Sequence, residues 1–215
     1  RLNKITLDKP NKLCDNGYSE KTEEVVMSVI IEDAVIAELL ARRDVISKNK
    51  KWGFDLPEKE FIKGMVCLNP QSYGARIETY IKERLGFTKV KAKDNRGDIM
   101  NPVANLFYEV KISILTLSNP ALNLVQIRLW QENDYYLCVA YDLRDISNYR
   151  KYIFLLTHDE MEKECEKANA AHGTSVSNNN NKNVELRLSI ICDENNDTFN
   201  RWKGNYLIDD YDQIV

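Results

Sequence analysis

Residues 106–112 read Leu106-Phe107-Tyr108-Glu109-Val110-Lys111-Ile112, an apolar run that contains two charged side chains. The aromatic and branched residues predict a β-strand, and the alternation of side chains along a strand puts Glu109 and Lys111 on the same face. Half-buried charges are costly unless another group compensates them, and a divalent cation is such a group. Asp98, which comes shortly before this strand, is expected to bring a second carboxylate to the bend of a hairpin.

Hydrophobic periodicity elsewhere predicts an α/β (α+β) fold, in which a central mixed β-sheet is flanked by helices. Helices are expected at 19–43, 58–65, 75–85 and 157–167. Strands are expected at 87–91, 106–114, 122–130, 135–141, 152–156 and 184–191. We expect strands 122–130 and 135–141 to lie on either side of a turn at 131–134, and Gly86 to end the third helix.

A chain of 215 residues suits a single domain with a sizeable core. We expect a mostly helical N-terminal elaboration at 1–66 and a core at 74–160 that contains the opening run. A flexible loop is expected at 170–183, because its run of asparagines at 178–181 is too polar to pack. Residues 184–215 form a C-terminal elaboration in this scheme.

The formal net charge of -3 argues against a general polyanion binder, but the charge is unevenly distributed. Up to Lys111 there are 20 basic and 17 acidic residues, and beyond it 10 and 16. Two basic clusters stand out: Arg42, Arg43, Lys48, Lys50 and Lys51, then Arg76, Lys82, Arg84, Lys89, Lys91, Lys93 and Arg96. Each cluster is open to two interpretations, a patch that attracts phosphate or an ordinary solvated face.

Several classes of protein are disfavoured by what the sequence lacks. The longest apolar runs fall far short of the roughly 20 residues that span a bilayer, and no signal-peptide pattern opens the chain. The five cysteines are widely spaced, which indicates neither a disulfide framework nor a zinc site. A Gly-rich phosphate loop is also missing, so no nucleotide cofactor is expected. We therefore expect a soluble cytoplasmic protein without a membrane partner.

The chemistry of the opening run favours Mg²⁺, which is usually bound by one or two carboxylates together with water and phosphate oxygen. Asp98 and Glu109 are the candidate carboxylate ligands, and the Val110 carbonyl is a candidate further ligand. Lys111 is expected to orient a water molecule and to offset negative charge that develops on a phosphate. These residue types suit metal-dependent hydrolysis of a phosphodiester.

The predicted strand 122–130 has a polar face suited to a phosphate or a base edge. Strict alternation puts Gln126, Arg128 and Trp130 on one face and Val125, Ile127 and Leu129 on the other. The alternative interpretation is a solvent-facing strand with ordinary polar residues. His158 is expected to be structural or exposed, because it lies in a capping-box turn.

Three segments resemble the PD-(D/E)XK nuclease superfamily, and type II restriction endonucleases in particular. They are Gly74-Ala-Arg-Ile-Glu78, Arg96-Gly97-Asp98 and Tyr108-Glu109-Val110-Lys111-Ile112-Ser113. The resemblance covers roughly residues 74–141, about a third of the chain. Gly97 stands where the nominal pattern has proline, which is a common variation.

The resemblance implies a restriction-endonuclease-like core in which Asp98 and Glu109 are metal ligands and Lys111 is the catalytic lysine. Glu78 matches the position of an additional acidic residue near the metal, although a plain surface glutamate is an equal alternative. The implied activity is Mg²⁺-dependent cleavage of double-stranded DNA, with Mn²⁺ as a substitute, by a bacterial enzyme that acts as a homodimer. The candidate DNA-binding residues are Gln126, Arg128, Arg76 and Arg96.

Two other functions remain open at this point. The first is a different nuclease with the same core, for repair or phage defence. The second is a non-catalytic module that binds DNA or protein, in which the carboxylates belong to an ordinary network of ion pairs. Metal dependence separates the second from both nucleases.

Overall fold

The computed structural model describes residues 43–91, 93–145, 147–172 and 184–214, together with Glu38 and Ala41. Its helices are α1 (Arg43–Lys48), α2 (Glu58–Met65), α3 (Pro70–Leu85), α4 (His158–Lys167) and α5 (Asp197–Tyr206), with a 3₁₀ turn at Tyr211–Gln213. Its strands are β1 (Thr88–Lys89), β2 (Ile99–Asn101), β3 (Leu106–Leu115), β4 (Ala121–Ile127), β5 (Tyr135–Asp142), β6 (Arg150–Thr157), β7 (Ala171–His172), β8 (Leu186–Ile191) and β9 (Leu207–Ile208). Nearly all of the helix predicted at 19–43, and the loop at 173–183, lie outside the described residues.

Two sheets form the centre of the molecule. The larger has the order β1-β2-β3-β5-β6-β9, and the smaller has the order β4-β8-β7. Strands β3 and β5 run parallel, whereas the other neighbours in both sheets are antiparallel. The prediction of a central mixed sheet flanked by helices is therefore confirmed.

The larger sheet has a hydrophobic core on each of its faces. On one face, α2 and α3 pack against it through Phe61, Ile62, Ile77 and Ile81. On the other face lie the smaller sheet, α4 and α5, which contribute Leu122, Leu124, Leu188, Met161 and Trp202. Each fully buried side chain of this size contributes roughly 1.5–3 kcal/mol through removal from water.

Strand β3 belongs to both cores, and its alternation positions the charged pair. Tyr108, Val110 and Ile114 face the helices α2 and α3. The other side of the strand faces β4, where the Ser113 hydroxyl donates to the Asn123 carbonyl at 3.1 Å. Because side chains alternate along a strand, Glu109 and Lys111 lie on this second side, between the two sheets.

The strands predicted at 122–130 and 135–141 lie in different sheets. Strand β4 pairs with β8 in the smaller sheet, and β5 lies between β3 and β6 in the larger one. The run from Tyr136 to Asp142 is buried along its whole length, which suits a central strand covered on both faces. The predicted alternation fails in part, because β4 ends at Ile127 and Val125 is 49% exposed whereas Ile127 is fully buried.

The helix limits show which local signals the sequence carries. Helix α2 has the predicted limits, and α4 begins at the predicted capping box, in which Thr157 and Glu160 bond reciprocally. Helix α3 begins earlier than predicted, at Pro70, because the Asn69 side chain accepts from the Ser72 amide at 2.9 Å. It ends as predicted at Gly86, whose φ of 68° is left-handed.

Helix α5, strands β2, β7 and β9, and helix α1 beyond Arg43 were not predicted. Ala171 and His172, at the start of the segment 170–183, form β7 and pair with β8. Helix α5 begins at Asp197, and the preceding Asn196 caps it by accepting from the Phe199 amide at 2.9 Å. Within the described part of the chain, no helix is long and apolar enough to cross a membrane.

A buried carboxylate joins α4 to α5. Glu164 is 1% exposed. Its oxygens accept from the Trp202 indole at 2.8 Å and the Tyr206 hydroxyl at 3.1 Å. Arg201 and Lys167 pair with the same carboxylate at 2.7 and 2.8 Å. A buried charge with this many donors fixes the two helices against each other.

Candidate active site

Asp98 is held beside the β3 strand by main-chain hydrogen bonds. Its own amide donates to the Tyr108 carbonyl at 2.9 Å. One carboxylate oxygen, Oδ2, accepts from the Val110 amide at 2.9 Å. The Asp98 carboxylate therefore lies next to Glu109, as the hairpin prediction required.

Gly97 makes this approach feasible. Its φ of +103° is unfavourable for any side chain, and a Cβ atom there would lie 2.7 Å from the Tyr108 carbonyl oxygen. Proline, which stands here in the nominal pattern, is fixed near a φ of -65° and is incompatible with this backbone. The departure from the pattern therefore has a local physical reason.

We expect Gly97→Ala to displace Asp98, because the new methyl group meets main-chain atoms that are fixed in the sheet. The strained φ alone costs on the order of 1–3 kcal/mol, and the clash adds to it. Urea unfolding measures the loss of stability. Gly86→Ala is the matched control, since it has a left-handed φ of +68° but open space around the added Cβ. Equal losses in the two variants would contradict the close approach to Tyr108.

Glu109 and Lys111 form an ion pair between the two sheets. The Lys111 Nζ atom lies 2.7 Å from Glu109 Oε1, and the two side chains are 11% and 3% exposed. The same ammonium donates to the Gln126 carbonyl at 2.9 Å. The second carboxylate oxygen, Glu109 Oε2, is buried and has no hydrogen-bond partner among the described residues. A buried carboxylate oxygen without a donor favours a cation as its partner.

Opposing effects act on the Glu109 carboxyl. Burial raises its pKa above the ordinary value, and Asp98 raises it further. The ammonium of Lys111 and the guanidinium of Arg128 act in the opposite direction, but they do not outweigh burial. The site as it stands disfavours the second negative charge, so a divalent cation beside these carboxylates would stabilise both in their ionised form.

Glu78 lies on α3 at the edge of this group. Its side chain is 16% exposed and pairs with Lys89 of β1, with 3.2 Å between Oε1 and Nζ. Burial raises the pKa of Glu78, the nearby Asp98 raises it further, and Lys89 lowers it. Glu78 is therefore mostly buried and lies close enough to Asp98 for the two carboxyl groups to interact electrostatically.

The side chains at this site supply part of the coordination shell that a hard cation needs. Asp98 and Glu109 offer carboxylate oxygens, and Val110 directly follows Glu109 on the chain. Within the described ranges, no three Asp, Glu, His or Cys side chains come close enough together to hold a metal ion by themselves. Two carboxylates nevertheless suffice for Mg²⁺, which usually completes its shell with water and substrate phosphate.

The candidate DNA-binding residues are distributed around the site. Arg128 pairs with Glu185, which lies just before β8, with 2.9 Å between Nε and Oε1. Gln126 is exposed, and its main chain has a positive φ of 54°. The predicted alternation holds for exposed Gln126 and buried Ile127 but fails at exposed Val125, because β4 is irregular between Leu124 and Ile127.

Arg76 and Arg96 make other contacts. The Arg76 guanidinium donates to the carbonyls of Ile46 and Ser47 at 2.6 and 2.7 Å, so it caps the C-terminal end of α1. Arg96 forms two hydrogen bonds with Asp94, at 2.8 and 2.7 Å. Its guanidinium also lies 4.0 Å from the centre of the Phe107 ring. A cation stacked in this way is held in place beside the Asp98 loop.

Three contacts of the site were not predicted: Lys89 with Glu78, Glu185 with Arg128, and the Gln126 carbonyl with Lys111. Glu185 is 57 residues from Arg128 along the chain, and no local pattern links them. The contact of Gln126 uses a main-chain atom, which no residue-type motif encodes. Of the three partners that were missed, only Lys89 had a signal in the sequence, because it belongs to the second basic cluster.

Comparisons with known proteins give no assignment: no protein-family model matches the chain, and no curated protein matches it.

Proposed function

We propose that this chain is a Mg²⁺-dependent endodeoxyribonuclease that hydrolyses phosphodiester bonds of double-stranded DNA, as type II restriction endonucleases do. The observation that carries the proposal is the buried Glu109 carboxylate, with Lys111 on one oxygen and no described partner on the other. Asp98, fixed beside it by the Val110 amide, provides the second carboxylate.

In this proposal the chain's own residues have separate roles. Asp98 and Glu109 hold the cation, and Glu78 adds negative charge at the edge of the site. When bound, Mg²⁺ polarises the phosphate and lowers the pKa of water, and Mn²⁺ substitutes for it. Lys111 orients the water and offsets the charge that develops on phosphate. Arg128, whose charge acts on Glu109, and Arg96, which is stacked on Phe107 beside the Asp98 loop, are proposed to contact the DNA backbone.

The sequence resemblance to restriction enzymes implies a homodimer, because a two-fold protein matches the two strands of a palindromic site. In such a dimer each subunit cuts one strand. A related nuclease for repair or phage defence would use the same residues on a different DNA.

A non-catalytic binding module is the second candidate. It is favoured by the absence, within the described ranges, of three metal-ligand side chains in one group. In this alternative Glu109–Lys111 and Glu78–Lys89 are structural ion pairs, and no cation is required. It predicts binding to DNA or protein that does not depend on divalent metal.

Cleavage of a supercoiled plasmid tests the proposal. We expect the wild type to cut with Mg²⁺ or Mn²⁺ and not with EDTA, and Asp98→Asn to lose about 10²-fold or more in rate. Asp55→Asn, an exposed aspartate in the turn before α2, is the control. Discrete bands indicate a restriction enzyme, whereas complete degradation indicates another nuclease. Intact DNA with every metal tried, or full activity in Asp98→Asn, would exclude the nuclease.

A further inference from the structure

Strand β4 contains a bulge directly opposite the Lys111 side chain. Leu124 pairs with Leu188 and Ile127 with Leu186, so Val125 and Gln126 stand opposite Arg187 alone. The extra residue turns the backbone locally, which is what a β-bulge does. As a result, the Gln126 carbonyl points away from the β8 ladder and accepts from Lys111 Nζ at 2.9 Å.

The backbone of Gln126 is unusual for its residue type. Among the non-glycine residues described, a positive φ occurs at Asn105, Asn169 and Gln126. Asparagine tolerates this conformation, whereas glutamine is not among the residues enriched in it. Strain of this kind persists where the surrounding structure holds it in place, and it is concentrated at functional sites.

The ammonium of Lys111 thereby gains a second fixed acceptor. Glu109 Oε1 lies on the same strand, 2.7 Å away, and the Gln126 carbonyl approaches from the other sheet. A lysine side chain has four rotatable bonds, so one acceptor leaves much of its freedom and two acceptors on separate elements remove it. The position of the ammonium then depends on how the two sheets are placed against each other.

We propose that Gln126 is a positioning residue that fixes the Lys111 ammonium through its main-chain carbonyl, and that the β4 bulge exists to present this carbonyl. The inference rests on the proposed function for its catalytic consequence. It also changes the role assigned to Gln126, from a side chain that reads DNA to a main-chain acceptor. The exposed side chain is then free to vary, provided that the replacement accepts a positive φ.

Two substitutions at Gln126 distinguish the contribution of its main-chain carbonyl from that of its side chain. Gln126→Gly removes the whole side chain and accepts the left-handed backbone without strain. Gln126→Ile introduces a β-branched residue, for which this conformation is a genuine outlier, so the bulge is expected to rearrange and the carbonyl to move. Val125→Ile places the same residue at the neighbouring exposed position, which has no positive φ, and it is the control.

Two measurements are made on these variants at a temperature well below unfolding. In single-turnover cleavage of duplex DNA, we expect Gln126→Ile to lose about 10²-fold in rate, since a shift of about 1 Å costs this much. DNA affinity should be unchanged, and Gln126→Gly should retain most of the rate. The NMR signal of the Lys111 ammonium, assigned by its loss in Lys111→Met, should be visible in the wild type and Gln126→Gly and lost in Gln126→Ile.

The two readouts distinguish failure of this inference from failure of the nuclease proposal. If the protein does not cut DNA, the ammonium signal still reports whether Gln126 holds Lys111. Equal loss of cleavage in the glycine and isoleucine variants would assign the role to the side chain and overturn the inference. An ammonium signal that is absent in the wild type, or the same in Gln126→Ile as in the wild type, would overturn it as well.

Discussion

Replacement of Lys111 by methionine should abolish most DNA cleavage while leaving DNA binding within a few-fold of the wild type. Methionine fills a similar volume but removes the positive charge that lies 2.7 Å from Glu109 Oε1. Loss of one preorganised electrostatic contact to a transition state costs about 10²–10³-fold in kcat. The measurement is single-turnover cleavage of a duplex in Mg²⁺, with affinity measured separately in Ca²⁺.

The matched control is Lys163→Met, an exposed lysine on α4 that changes the net charge by the same amount. It should cut like the wild type. The folded state of both variants is checked by thermal unfolding, because Lys111→Met leaves Glu109 buried without its cation and raises the pKa of that carboxyl further. A folded Lys111→Met protein that cuts within tenfold of the wild type would contradict a catalytic role.

Glu164→Leu is expected to have the largest effect on stability. The substitution leaves the buried donors of Trp202 and Tyr206 without an acceptor, and each such donor costs about 1–3 kcal/mol. We therefore expect a loss of about 3 kcal/mol in the free energy of unfolding, measured in urea. Glu166→Gln, an exposed glutamate on the same helix, should change stability by no more than about 0.5 kcal/mol. Similar values for the two variants would contradict the structural role of Glu164.

The same residue predicts a pH dependence of stability. Burial acts to raise the pKa of Glu164, but hydrogen bonds from Lys167, Trp202 and Tyr206 and the charge of Arg201 outweigh it, so the pKa is lowered. A carboxyl with a lower pKa in the folded state stabilises the protein above its unfolded pKa of about 4.3, and this contribution is lost as the pH falls through the folded value. Urea unfolding between neutral and acidic pH should show a smaller decrease for Glu164→Leu than for the wild type.

Short-range signals in the sequence were sufficient for much of the fold. The capping box at Thr157 and the stop at Gly86 both mark helix ends correctly, because each is satisfied by atoms within a few residues. The pairing of β4 could not be obtained in this way. Its partner β8 is distant in the chain, and a bulge reverses the alternation that would have indicated its buried face.

For the candidate site, the spacing of Glu109 and Lys111 on one strand was enough to predict that the two side chains meet. The approach of Asp98 to this strand was predicted from the hairpin. The structure shows that the approach requires glycine at position 97, because a side chain there would meet the Tyr108 carbonyl. The partners of Arg76 and Arg128 depend on tertiary packing. From the sequence alone, only a general role in binding phosphate could be predicted for these arginines.

Binding of Mn²⁺ is the most direct test of the account, and electron paramagnetic resonance measures it in a complex with a duplex that carries an uncleavable phosphate analogue. We predict bound Mn²⁺ in the wild type. In Glu109→Gln, which keeps the shape of the side chain but not its charge, affinity should fall by more than the roughly 10–100-fold that loss of an outer-shell partner costs. No bound Mn²⁺ in the wild type, or equal binding by the two proteins, would contradict the claim that this site holds a divalent cation.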